Sequence, residues 1–119
     1  MMNKANQQKM CSRLDEKIAA CAAEVKALEL DDRRDDAVFV KIRMNVYDIF
    51  RTVFKASASQ PDANAFFLEK LDQIPHNWRT SLSLAQQHGN VEKAHIEQLK
   101  LDTAAEIRSL FLELSEVDA

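Results

Sequence analysis

Leu28-Glu29-Leu30-Asp31-Asp32-Arg33-Arg34-Asp35-Asp36-Ala37-Val38-Phe39 decides between two folds. Continuing the three-and-four-residue rhythm of the preceding segment from Leu28 lands on Asp32 and Asp35 before it reaches Phe39. The two flanking segments are therefore in unbroken helical register, and no Gly or Pro separates them. One reading is a single helix of more than about 50 residues, which would set two aspartates in an apolar seam where burial without partners is costly. The other is a turn that folds the second segment back on the first. The turn is expected, with Asp32 or Asp35 capping the second helix and the acidic cluster facing its positive N-terminal end.

Upstream, Cys11, Leu14, Ile18, Cys21, Val25 and Leu28 follow steps of three and four and define helix 1 over about 4–30. Ala19, Ala20, Ala22, Ala23 and Ala27 flank this seam with small side chains, which lets a partner helix approach closely, as in a coiled coil. Cys11 and Cys21 stand roughly 15 Å apart along such a helix, so they cannot bridge each other and read as small core hydrophobes.

Downstream, Phe39, Ile42, Val46, Ile49 and Val53 repeat the rhythm, thickened by Val38, Val40, Tyr47, Phe50 and Phe54 into a broad apolar arc over about 36–57. The polar remainder, Lys41, Asn45, Asp48, Thr52 and Lys55, also steps by four and three and forms one thin wet line. Helix 2 is thus expected to lie centrally. Val38–Ile42 has strand-like β-branched and aromatic content, but no other segment offers it a strand partner.

Ser57-Ala58-Ser59-Gln60-Pro61 reads as a loop, with Pro61 opening helix 3 over about 61–73 on an apolar face of Phe66, Phe67, Leu71 and Ile74. Pro75 is expected to push Ile74 out of helical geometry, and Asn77 to cap a short helix 4 over about 78–88 that turns Trp78, Leu82 and Ala85 inward. Gly89 stops that helix and Asn90 caps helix 5, about 91–117, whose seam runs Ile96, Leu99, Thr103, Ile107, Leu110, Leu114, Val117. Leu101, Ala104 and Phe111 form a second, smaller line. Helix 5 is rich in acids (Glu92, Glu97, Asp102, Glu106, Glu113, Glu116, Asp118) and helix 2 in bases (Lys41, Arg43, Arg51, Lys55), which predicts that they are neighbours.

The whole is read as one all-α domain, residues 1–119, a compact antiparallel bundle of about five helices. One Gly and two Pro among 119 residues starve turns and sheet edges, while 46% hydrophobic and 29% charged residues suit amphipathic helices. A net charge of -3 and a pI near 5.6 provide no global positive field for nucleic acid or an anionic membrane. No stretch approaches the roughly 20 apolar residues of a membrane span, and the polar opening Met1-Met2-Asn3-Lys4 lacks a leader's apolar core. A cytoplasmic protein with free thiols is expected.

Two patterns carry potential metal chemistry. Asp31-Asp32-Arg33-Arg34-Asp35 resembles the DDxxD pattern with which isoprenoid synthases hold magnesium and a diphosphate, although these five residues are the whole of the resemblance. Glu92 and His95 form one Glu-x-x-His pair of the kind used in di-iron bundles; neither His76 nor His88 supplies a second. A single glycine leaves no phosphate cradle or nucleophile elbow. Helices 3 and 4 superficially form a helix-turn-helix, but helix 4 offers a DNA groove only Arg79, Gln86 and Gln87. The aromatic set, including Trp78, Phe50, Phe67 and Phe111, reads as core rather than as a ligand cavity.

The expected function is a small cytosolic interaction or structural module, not an enzyme, that forms a homodimer through the helix 1 seam: Cys11, Leu14, Ile18, Cys21 and Val25. Helix 1, about 40 Å long, outreaches helix 2 at about 30 Å and would leave seam uncovered. The alternative is a metal-dependent bundle enzyme using Asp31, Asp32 and Asp35 or Glu92 and His95. No cofactor is expected for the interaction module, and neither nucleic acid nor membrane as a partner.

Overall fold

The computed structural model describes residues 2–117, with side chains through Ser115. Met1, Asp118 and the side chains of Glu116 and Val117 in the readings above lie outside the described residues. Five helical segments follow one another: α1 (Lys4–Leu30), α2 (Arg34–Ser57), α3 (Ala63–Gln73), α4 (His76–Gln87) and α5 (Val91–Val117). The all-α bundle expected from the sequence is the fold observed.

The chain turns at Asp31–Arg33, as the cost of buried aspartates requires. α1 then runs antiparallel to α2: Asp15 pairs with Arg51 at 2.8 Å near one end, and Glu29 with Lys41 at 3.3 Å near the other. It also runs antiparallel to α5, with Lys17 on Glu106 at 3.1 Å and the Asn6 side-chain amide donating to the Leu114 carbonyl at 3.1 Å.

α2 and α5 are parallel. Phe39 meets His95, the Tyr47 hydroxyl donates to Glu106 at 2.8 Å, and Phe54 packs on Phe111. This departs from a purely antiparallel bundle because α3 and α4 together carry the chain back from the end of α2 to the start of α5. The two helices are neighbours, as their charge balance predicted, but for another reason. The bases Lys41 and Arg51 of α2 are spent on Glu29 and Asp15 of α1, and α5 is reached through aromatic packing and the Tyr47 hydroxyl.

The central place of α2 follows from its pattern. Lys41, Asn45, Asp48, Thr52 and Lys55 are all exposed, while Val40, Val46, Tyr47, Phe50 and Phe54 are buried among α1, α3 and α5. Phe67 of α3 stands edge-on to Phe54 at 5.2 Å and tilted on Phe111 at 4.8 Å, so these rings pack on one another in the core.

Three local expectations are corrected. Ile74 keeps right-handed helical angles (φ -61°, ψ -45°), as does Pro75, so α3 and α4 form a kinked pair rather than separated helices. Pro75 lacks the N–H that would continue the ladder, which interrupts the hydrogen bonding without forcing the chain out of helical space. Asn77 lies inside the first turn of α4 and caps nothing, the N-cap position being Pro75 itself. Pro61 precedes the helix rather than opening it, because Asp62 takes the N-cap and accepts the Ala65 N–H at 3.1 Å.

Candidate functional site

The ends of α1 and α4 and the beginnings of α2 and α5 all meet at one end of the bundle, and every metal-type pattern in the sequence falls there. The α1–α2 turn is closed by backbone alone. Asp32 adopts φ +58°, the Arg33 N–H reaches back to the Leu28 carbonyl at 2.8 Å, and the Asp32 N–H to Glu29 at 3.1 Å. The N-cap of α2 is therefore Arg33, which has no side-chain acceptor to offer. The expectation that Asp32 or Asp35 caps this helix is corrected: Asp32 is used up in the left-handed turn, and Asp35 already lies in the first helical turn. Asp35 and Asp36 do stand in that first turn, where negative charge complements the helix dipole.

Among the described residues the carboxylates of the DDxxD resemblance are not gathered about one point. Asp32 faces Arg34 at 3.7 Å, and Asp36 takes the Arg33 guanidinium at 2.9 Å. Among the described residues no group of three or more His, Cys, Asp or Glu side chains is placed to hold a metal ion. Glu92 and His95 are exposed, and the His95 ring stands perpendicular to that of Phe39, ring centroids 4.8 Å apart. What the fold does bring together is Asp35 and Glu92, one from each pattern, across a depression of about 420 Å³ floored by Val38, Phe39 and Ile96.

The seam of helix 1 is occupied within the chain. Leu14 is 0% exposed, Cys21 and Val25 are buried, and Cys11 and Ile18 are partly covered. α5 also lies along α1 and covers the length by which α1 outreaches α2. Burial pushes the thiols of both Cys11 and Cys21 up from their ordinary pKa, which suits packing rather than reactivity.

The same end carries exposed apolar surface that no sequence pattern announced. Of the five large hydrophobics most open to solvent among the described residues, four are found here: Leu30 at 81%, Val91 at 80%, and Val38 and Leu84 near half. Leu30 and Val91 fall outside the seams of their helices, and only the shared location gives them meaning.

Two buried polar groups were also unforeseen. Glu97 is 6% exposed, with Oε1 on Lys100 at 3.3 Å, and that lysine also lies over the Trp78 ring at 5.8 Å. Only the three-residue spacing of Glu97 and Lys100 hinted at the pair. Tyr47 is buried where α1, α2 and α5 meet; desolvation first, and then its hydrogen bond to Glu106, push its pKa up to about 12.

No helix of the described chain is long and apolar enough to cross a membrane. No protein-family model, curated protein or solved structure matches this chain.

Proposed function

We propose that the chain is a cytosolic protein-interaction module that self-associates through the turn end of the bundle, where helix 1 contributes Leu30 rather than its seam. The clustering of Leu30, Val38, Leu84 and Val91 at one end carries this reading, because exposed apolar area gains roughly 25 cal/mol per Å² when covered. Two further features support it. The rim mixes Asp31, Asp32, Asp35 and Glu92 with Arg33, Arg34 and Lys93, both signs being what a surface needs to meet its own copy about a two-fold axis. The chain is also more open than a compact monomer of its size. Its radius of gyration is 15.8 Å against about 13.5 Å expected, and its surface 7358 Å² against about 6,600 Å². The free thiols Cys11 and Cys21 suit a reducing compartment.

Sedimentation velocity from low micromolar to several hundred micromolar tests the proposal. A dimer is expected, and the double substitution Leu30→Glu with Val91→Glu should return it to monomer with unchanged helical circular dichroism. A chain that stays monomeric throughout, or a double variant that dimerises undiminished, overturns it.

A further inference from the structure

We infer that the opposite end of the bundle holds a binding site for a small amphipathic monoanion, a carboxylate head on an apolar body. The inference goes beyond self-association and is independent of it, since the two sites lie at opposite ends. An open cavity of about 630 Å³, well within the size of small-molecule sites, is bounded by the N-terminal segment and first turns of α1, the last turn of α2 and the start of α3. Its floor is apolar: Met2, Phe54 and Ala63 are buried there, beside the half-covered Cys11.

Charge selects the head group. Among the described residues, Lys4 and Lys55 line the cavity and no aspartate or glutamate does, a local reversal in a chain whose acids outnumber its bases 19 to 16. Neither lysine takes part in a salt bridge among the described residues, whereas Lys17, Lys41 and Arg51 are each held by carboxylates. Gln8 and the side-chain N–H groups of Asn64 add donors that can hydrogen-bond a carboxylate. Uncommitted cations above an apolar floor match a molecule that is charged at one end only.

The wall of the cavity is also tied in place by hydrogen bonds within the chain. The Gln7 side chain donates to the Met2 carbonyl at 2.7 Å, the Met2 N–H to the Asn64 side-chain oxygen at 3.4 Å, and Asn6 is tied to Leu114. A pre-formed wall avoids ordering costs on binding.

Titration of the full chain with sodium decanoate below its micelle concentration, followed by calorimetry and by amide chemical shifts, tests this site, with 1-decanol and acetate as probes lacking the charge or the chain. Decanoate should saturate one site, with shifts confined to Met2, Gln7, Asn64 and their neighbours. Decanol should bind roughly tenfold more weakly and acetate immeasurably. Lys4→Gln combined with Lys55→Gln, both at exposed positions, should weaken decanoate roughly tenfold and leave decanol unchanged. Failure to saturate, shifts elsewhere on the protein, decanol binding as tight as decanoate, or full affinity in the lysine variant would each overturn the inference.

Discussion

The hairpins α1–α2 and α4–α5 end in the same backbone turn and are held together by very different amounts of packing. In each, one residue takes left-handed angles, Asp32 at φ +58° and Gly89 at φ +66°. The following N–H then reaches back across the turn at 2.8 Å, from Arg33 to Leu28 and from Asn90 to Ala85. The α1–α2 hairpin buries Met10, Leu14 and Cys21 against Val46, Tyr47 and Phe50, whereas α4 fully buries only Ala85. The deeply packed hairpin carries the unfavourable residue, aspartate, in its turn. The thinly packed one carries glycine, followed by Asn90, which caps α5 by accepting the Lys93 N–H at 3.1 Å. Burial can hold a turn that local preference would not choose; where burial is slight, local preference has to do more.

Core truncation should separate the two hairpins most clearly. Leu14→Ala removes a fully buried side chain from α1 and should lower the unfolding free energy by about 3 kcal/mol, while Leu82→Ala on half-buried α4 should cost about 1 kcal/mol. Urea denaturation of both variants measures the gap, and equal losses would mean that α4 carries as much of the core as α1.

Tyr47 joins α2 to α5 and so links the first hairpin to the second. Its pKa rises from 10.0 to about 12 on folding, so its contribution is fully present below pH 10 and is lost as pH climbs from about 10 to 12, amounting to about 2 kcal/mol at the top of that window. Unfolding free energies measured across this range should fall more steeply for the wild type than for Tyr47→Phe; parallel profiles would remove Tyr47 from the account.

The turns themselves give the smallest effect and the most direct comparison. Gly89→Ala meets no atom within 4 Å, so its cost is the left-handed backbone alone, about 1 kcal/mol. Asp32→Gly should move the other way by about 0.5 kcal/mol, since the Arg34 pair it gives up is exposed. Thermal melts of the two variants should shift in opposite directions.

The helices and the central position of α2 were legible because seams at steps of three and four report burial directly. The Asp31–Arg33 turn was legible only through cost, as an aspartate excluded from a seam; nothing in Asp32 announces left-handed geometry as Gly89 does. Pro75 misled because loss of one hydrogen bond does not dictate where the chain goes next. The candidate surfaces were least legible. Leu30, Val38, Leu84 and Val91 come from four helices, and Lys4 and Lys55 from two, so each patch exists only after the topology has folded those elements to one end. The helix 1 seam was legible as apolar, but charge and length could not reveal that α5 returns along it and covers it within the chain.

That return has a consequence for the order in which the protein is made. α1 and α2 can pair as soon as both have left the ribosome, yet Asn6 waits for the Leu114 carbonyl and Lys17 for Glu106, groups translated near the other end of the chain. The nascent hairpin therefore travels with one flank of its apolar surface bare until α5 emerges, and its exposure to chaperones and to neighbouring nascent chains is set by the time taken to translate α3, α4 and α5.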